Sequence, residues 1–467
     1  MAGTEEQPVK KATHHSERAN QRRVAMATLV GTTVEWYDYF IYAMAAGLVF
    51  SGAFFEPVGE ELGLLIAFAS VGISFLFRPL GAFLAGHYGD KIGRRAMLVL
   101  TLVVMGGATT AVGLLPTYAD AGIIAPIILL LLRILQGLSA GGEWGGAVLM
   151  AVEHAPKGRR GRAGSFPQLG APLGLVLASA MMALMSGVIA PGDAFVEWGW
   201  RIPFLFSFVL IILGYIIRRA VDESPVFQEI AEHKQQSSVP VVELFRKHAP
   251  LVVVAALVFA ACNAAGYMAT GGFIQSYAVT EVGLDRTDVL NAVTYGAVIW
   301  AIATYLTAIA SDKFGRVRVY QLGHLVLGVA IFPLFWLLNT GDIAMFYVGL
   351  TFFAIGLGGT YGAQAALYSE MFPASIRFSG VSISYAIGSI VGGAFAPTIA
   401  VFLVQQTGTT NSVGAYLLAL TVISLIAVSL IRDRSGINLS ISNEAEQAIG
   451  ALVTDKRQIP AAVEEKA

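Results

Sequence analysis

Long apolar runs alternate with short polar clusters along the whole chain. Runs at 97–115, 123–132, 251–262 and 320–338 are nearly free of charge, and a helix that crosses a bilayer needs about 20 such residues. The pattern predicts twelve helices, at 24–50, 62–86, 97–115, 122–149, 164–190, 200–219, 249–275, 289–310, 319–338, 342–369, 378–405 and 413–431. The fold class expected is therefore all-α integral membrane, with twelve transmembrane helices in two sets of six. The divisions read as an N-terminal segment (1–21), a first six-helix half (22–220), a polar linker (221–248), a second half (249–434) and a polar C-terminal tail (435–467). The tail carries no sustained heptads, so it is expected to be poorly ordered rather than a coiled coil.

Composition agrees. Of 467 residues 56% are apolar and 13% charged, against about 25% charged in a soluble protein. The first apolar segment is too long for a signal-peptide core and lacks a clean cleavage site, so it reads as the first span. Among the 30 Lys and Arg, predicted outer loops hold Arg201 and Arg286, spans hold Arg78 and Arg133, and the others lie in the termini or in loops on one face. The opposite loops carry acids, among them Glu56, Glu60, Glu61, Asp120 and Asp193. The basic face is expected to be cytoplasmic, with both termini there. The one cysteine, Cys262, excludes an internal disulfide and a Cys-built metal site.

Two motifs occur twice. Asp90-Lys91-Ile92-Gly93-Arg94 returns as Asp312-Lys313-Phe314-Gly315-Arg316, and Glu153-x-x-Pro156-x-x-x-Arg160 returns as Glu370-x-x-Pro373-x-x-x-Arg377. Both shifts are about 220 residues, the mark of a tandem duplication and a common plan for secondary transporters. Small residues recur at packing intervals in Gly137/Gly141/Gly145, Gly358/Gly362 and Gly388/Gly392, where helix backbones are expected to approach closely. Pro167, Pro172 and Pro397 suggest bends in the fifth and eleventh helices.

Charges at membrane depth are costly and point to function. At about 1.5 Å per residue, Glu35 and Asp38 fall roughly 17 and 21 Å from the inner end of the first helix, and Arg133 roughly 16 Å from the outer end of the fourth. Glu35, Asp38 and Tyr42 share one helix face, as do Arg133 and Gln136. One reading makes these two carboxylates and the guanidinium a proton and substrate site; the other makes them a structural ion pair. Arg78 and Glu143 fall nearer the inner rim and read as structural or relay groups, and His87 as interfacial. In the second half Asn263, Tyr267, Gln275, Asn291, Tyr295, Tyr361, Gln364 and Tyr385 are polar residues placed to line the same cavity.

Several stretches carry a family resemblance. Gly86-x-x-x-Asp90-Lys91-x-Gly93-Arg94-Arg95 is similar to the signature loop of the major facilitator superfamily, and Arg133-x-x-Gln136-Gly137 to a second motif of that superfamily. Val34-Glu35-Trp36-Tyr37-Asp38-Tyr39, Leu135-Gln136-Gly137-x-x-x-Gly141-Gly142-Glu143, Trp198-Gly199-Trp200-Arg201-Ile202-Pro203-Phe204, Glu223-Ser224-Pro225-x-Phe227 and Glu370-Met371-Phe372-Pro373 resemble the metabolite:proton symporter family. The second loop copy departs from the signature, with Ala308 and Val317 at the first Gly and last basic positions.

The resemblance implies proton-coupled symport of a small organic metabolite, most nearly a carboxylate of the shikimate type, by alternating access in the cytoplasmic (inner) membrane. With symport implied, the charges at membrane depth read as its machinery, Glu35 and Asp38 as the proton-coupling residues. Arg133, Gln136, Tyr42, Asn263, Tyr267, Gln364 and Tyr385 become substrate contacts. The resemblance makes Asp90, Arg94, Arg95, Glu153, Arg160, Asp312, Arg316, Glu370 and Arg377 a cytoplasmic gate. The expected partners are substrate, proton and lipid, with no nucleic acid, cofactor or metal, and a monomer is the default. A proline/betaine osmolyte symporter is the alternative within transporters, and a non-transporting sensor of the same fold the alternative outside them. An ATP-driven pump is disfavoured because no Walker-type Gly-rich loop followed by Lys and Ser/Thr occurs.

Overall fold

The structure is a computed structural model. It describes the backbone of residues 14–92, 94–141, 143–218, 240–270 and 272–455, with side chains described over 21–84, 99–141, 143–217, 243–266, at 268 and over 272–455. Among the described residues the elements are helical, apart from an isolated antiparallel bridge between Ile431 and Leu452.

The helices of the first half are α1 (His14–Ala45, continued by short turns to Phe54), α2 (Glu60–Ile92), α3 (Arg94–Gly113), α4 (Ile124–Glu153), α5 (Arg160–Ile189) and α6 (Arg201–Arg218). Those of the second are α7 (Pro240–Thr270, resumed at Phe273–Thr280), α8 (Arg286–Phe314), α9 (Arg316–Leu338), α10 (Ile343–Met371), α11 (Arg377–Thr407) and α12 (Asn411–Ser429). Among the described residues ten helices are long and apolar enough to cross a membrane. The other two are α1, diluted by Glu35, Asp38 and several threonines, and α3, whose described apolar part is Val99–Gly113.

The apolar side chains are not all turned inward. Val298, Ile302, Leu306 and Ile309 form an exposed stripe along α8, as do Leu322, Leu325, Val326 and Val329 along α9. Contiguous exposed apolar stripes at helical spacing are the surface of a protein solvated by lipid.

Packing repeats with a period of six helices. In the first half α1 packs on α5, α2 on α4 and α3 on α6; in the second α7 packs on α11, α8 on α10 and α9 on α12. The halves join along α5 against α8 and α2 against α11, a pair that the same period relates. The duplication read from the motifs is thus visible in the helix neighbours.

The glycine stripes act as expected. A Cβ on Gly137 would lie 2.1 Å from the Ser74 carbonyl oxygen, one on Gly141 2.1 Å from that of Arg78, and one on Gly392 2.1 Å from that of Ala260. Only glycine lets these backbones touch. At Pro397 the eleventh helix breaks, with Phe395 at φ −114°, ψ 10° after a wide turn at Ile390–Ala394, whereas the helix Arg160–Leu184 runs unbroken through Pro167 and Pro172.

Two expectations need correction. The end of the linker is helical: α7 starts at Pro240, and the expected start near 249 is a kink at His248 ahead of Pro250. The tail is not loose over 435–455. Gln447 and Leu439 are buried, and the segment folds back on the ends of α9 and α11. Its polar composition suggested solvent, but its carbonyls and the Gln447 side-chain oxygen accept from buried arginines instead.

Candidate substrate and gating sites

In the first half, α1 carries Glu35 and Asp38 into the interior, both buried. The expected Asp38–Arg133 ion pair is not formed among the described residues. Asp38 Oδ1 accepts from Ser207 Oγ of α6 at 2.6 Å, with Thr109 of α3 beside it. Arg133 is turned toward α2. Its Nε donates to the Ser70 carbonyl (3.3 Å), Nη2 to the Val71 carbonyl (3.0 Å) and Ser74 Oγ (2.9 Å), and Nη1 to Gln136 Oε1 (2.6 Å). Its guanidinium carbon lies 3.8 Å from the Tyr42 ring centre, a cation–π contact, and Tyr42 in turn bonds Ser70 Oγ at 2.8 Å.

Polar side chains stand between the two charges instead. Gln136 Nε2 donates to Thr109 Oγ1 at 2.8 Å. That hydroxyl has one hydrogen to give, now directed at the Met105 carbonyl (3.0 Å). The bonded series Thr109, Gln136, Arg133 therefore crosses α3 and α4, with Asp38 of α1 beside Thr109 but held by Ser207. It exists because Gly137 lets α4 touch α2, which brings the α2 carbonyls within reach of Arg133.

A second cluster lies where the halves meet. Tyr385 of α11 is within electrostatic reach of both Glu35 and Arg78. Arg78 sits 4.2 Å from the Phe75 ring centre, and Arg78 and Glu143 are both buried. Tyr385 is sandwiched: its ring stacks on Trp144 of α4 at 3.8 Å and on Phe259 of α7 at 4.6 Å. Trp144 Nε1 donates to Gln168 Oε1 of α5 (2.9 Å), while Gln168 Nε2 donates to the Tyr361 carbonyl (2.9 Å) and Gln364 Oε1 (3.2 Å) of α10. Sequence reasoning missed Trp144 and Gln168. Trp144 had a signal, since it directly follows the Gly-Gly-Glu motif; Gln168 had none beyond its neighbour Pro167.

Other expected cavity residues divide. Asn263 is buried and reaches the Gly388 carbonyl at 3.5 Å. Gln275, in the second segment of α7, is fully buried, and neither amide atom has a hydrogen-bond partner among the described residues. Asn291 and Tyr295 are exposed, on the same side of α8 as Val298 and Ile302, and so line no cavity. The side chain of Tyr267 lies outside the described residues.

The motif copies meet at one end of the molecule. Asp312 Oδ1 and Oδ2 accept from the Gly161 and Arg162 amides at 2.8 and 2.9 Å, so a carboxylate of the second half caps the first turn of α5 in the first. A helix start offers free amides and partial positive charge. Glu370 Oε1 pairs with Arg160 Nη1 (3.3 Å) across the halves, and Glu370 Oε2 with Arg316 Nε (3.2 Å). Arg316 also holds Asp312 at 2.7 Å, and Arg377 Nη1 pairs with Glu153 at 3.2 Å, again across the halves. All four arginine and glutamate positions of the repeated Glu-to-Arg motif are drawn into these contacts. The side chains of Asp90, Arg94 and Arg95 lie outside the described residues, so the first signature loop is known only as helix on either side of Gly93.

At the other end the halves touch through hydroxyls. Ser179 Oγ and Thr294 Oγ1 are 2.7 Å apart, and Ser186 Oγ and Thr287 Oγ1 3.2 Å. A Cβ on Gly272 would meet the Ala43 carbonyl oxygen at 2.3 Å, so α7 is pressed against α1 there.

A repeated six-helix half, charges buried at mid-helix and a motif face that locks the halves together describe a family. The model of the Major Facilitator Superfamily matches residues 28–397. The chain belongs to the major facilitator superfamily. It is 38% identical over 418 residues to the inner membrane metabolite transport protein YhjE of Escherichia coli, covering 89% of this chain and 94% of that protein. It is 38% identical over 421 residues to the shikimate transporter of Escherichia coli, covering 88% and 94%. With the proline/betaine transporter of Salmonella typhimurium the identity is 31%, over 87% of this chain and 82% of the relative. Among solved structures, the proton:xylose symporter XylE bound to 6-bromo-6-deoxy-D-glucose superposes with a TM-score of 0.72 at 16% identity, covering 91% and 98%; that likeness concerns the fold. This superfamily member is a multi-pass membrane transporter, and its relatives carry metabolites.

Proposed function

We propose that this transporter is a proton-coupled symporter of a small organic carboxylate, working by alternating access in the inner membrane with the motif face and both termini cytoplasmic. The observation that supports the reading is the buried series from Thr109 through Gln136 to Arg133, with Asp38 beside its Thr109 end. An ionisable carboxylate thus stands next to a network that ends on a guanidinium at mid-helix, where charge is otherwise excluded.

Asp38 and Glu35 are the proton carriers. A proton on Asp38 turns an acceptor into a donor, which lets Thr109 and then Gln136 change partners. A substrate carboxylate displaces Gln136 Oε1 from Arg133 Nη1 and gains a charge-assisted bond. Tyr42 lies against Arg133 on this side. Across the junction Tyr385, Gln364, Asn263, Tyr267 and the unpartnered Gln275 supply the second half of the site, with Arg78 and Glu143 between them as relay groups. The gate is the motif face: Asp312 on the start of α5 and the pairs Arg160–Glu370 and Arg377–Glu153 hold the cytoplasmic side closed and part when the halves rock. Asp90, Arg94 and Arg95 of the first loop belong to the same closure.

The test is uptake into proteoliposomes with an imposed pH gradient, across carboxylates and betaines. Accumulation of a carboxylate that collapses with the gradient is expected; accumulation of betaines alone would favour the osmolyte alternative, and saturable binding without flux would make the protein a sensor. The 38% identity to a shikimate transporter against 31% to a proline/betaine transporter favours the carboxylate.

A further inference from the structure

The segment after α12 is folded onto the motif face. Asp433 Oδ2 accepts from the Val317 amide at the start of α9 (3.1 Å), beside Gly315. The Ile437 carbonyl accepts from Arg160 Nη1 at 2.6 Å, a bond from the second half's last segment to the first half. The Leu439 carbonyl accepts from Arg377 Nη1 at 3.0 Å.

Gln447, buried in a short helix at Glu444–Gln447, sits at the centre. Its Oε1 accepts from Arg377 Nη2 (2.7 Å) and from the Ala374 amide (2.8 Å), and its Nε2 donates to the Asn438 (2.6 Å) and Ser440 (2.8 Å) carbonyls. Glu444 takes the Ser375 amide and hydroxyl. Arg434 donates to the Gln447 and Glu446 carbonyls, and burial pulls its guanidinium below the usual arginine range, opposed by the Glu446 charge.

Arg377 therefore has two sets of partners: Glu153 across the halves, and the C-terminal segment. A long arginine held at only one end loses much of its pairing free energy to rotamer freedom. One held by Gln447, Leu439 and the Phe372 carbonyl is already aimed.

We propose that residues 432–455 are a working part of the closure of the motif face, with Gln447 as the positioning residue that presents Arg377 to Glu153 and the Ile437 carbonyl as the point where the segment grips the opposite half. The inference rests on the reading of this face as a gate. When the halves part there, Arg160 and Glu153 leave with the first half, and the bond from Arg160 to Ile437 is lost with them. The contacts within the second half persist in both states, while the bond to Arg160 and the aimed Arg377 act only in the closed one, so the segment biases the equilibrium toward closure.

The test is hydrogen–deuterium exchange on the full chain in nanodiscs. The Gly161 and Arg162 amides report closure at the motif end through Asp312, and peptides across 273–280 report the other end. Gln447→Ala is expected to raise exchange at 161–162 roughly tenfold without raising it at 273–280. Gln447→Glu sets a carboxylate oxygen against the Asn438 and Ser440 carbonyls, which unseats the segment, and is expected to raise exchange at 161–162 as well. Asp312→Asn is the control that opens the gate directly. Faster exchange with Asp312→Asn but none with Gln447→Ala overturns the role of the segment and leaves the gate standing. No change with either overturns both readings. Faster exchange at both ends shows that Gln447 only supports folding and also overturns the proposal.

Discussion

Asp38 keeps its partner Ser207 whether it is a carboxylate or an amide, because either offers an oxygen acceptor at Oδ1. Asp38→Asn is therefore expected to fold and bind yet carry no proton. Under a one-unit pH gradient, one coupled proton supports about tenfold accumulation; the variant should lose it while still exchanging labelled for unlabelled substrate across the membrane. Accumulation that survives in the double variant with Glu35→Gln would remove both residues from coupling. Glu370 presents a different balance. It neutralises buried Arg160 and shares buried Arg316 with Asp312, so Glu370→Gln leaves Arg160 without its carboxylate and costs the closed state about 3 kcal/mol. Faster exchange at the start of α5 would register it. Arg133→Lys tests the substrate contact: a lysine cannot hold the Ser70, Val71, Ser74 and Gln136 oxygens together, and uptake of anions should fall more than uptake of zwitterions.

At the scale of elements, the crossing of α2 and α4 decides whether the Arg133 network can form. A methyl group on Gly137 has to displace the Ser74 backbone, since 2.1 Å is far inside contact distance. Gly137→Ala is expected to destabilise the protein by about 1–3 kcal/mol and to lower transport with it. Gly146, beside the same stripe, would put its Cβ 3.8 Å from the nearest atom, the Phe378 ring. Gly146→Ala should be near neutral in thermal unfolding of the detergent-solubilised protein. Equal effects of the two would mean that close helix approach is not what the Gly137 position requires. The hydropathy pattern located these helices to within a few residues in most cases, because burial in lipid acts on every side chain of a helix at once. It misjudged the starts of α1 and α7 and the order of the tail, where polar residues bond other polar residues and hydropathy is blind.

Over the whole molecule, the two ends of the junction are unequal. At the motif end the halves are joined by carboxylates, arginines and helix amides. At the other end Ser179 and Thr294 each already donate to a carbonyl one turn back, Leu175 and Leu290, so one must give up that bond to make the contact between halves. Ser179→Val should thus shift the balance of states by less than about 1 kcal/mol. Asp312→Asn, at the charged end, should shift it several times further toward a state open at the motif face. Labelling or exchange at the two ends measures both, and a larger effect of Ser179→Val would reverse this ranking.

The amino-acid sequence by itself determined what depends on one helix at a time. Hydropathy and the rise per residue placed twelve helices and set Glu35, Asp38 and Arg133 at mid-helix; the skew of Lys and Arg marked one face; the repeated motifs announced two halves. Only the tertiary structure decided what depends on how helices turn toward one another. Depth along the axis cannot say that Asp38 faces Ser207 rather than Arg133, that Trp144 and Tyr385 stack across the halves, or that Gln447 reaches back to Arg377. The rotation of each helix is fixed by contacts between residues far apart in the chain, and those contacts exist only once glycine-lined crossings have brought the backbones together.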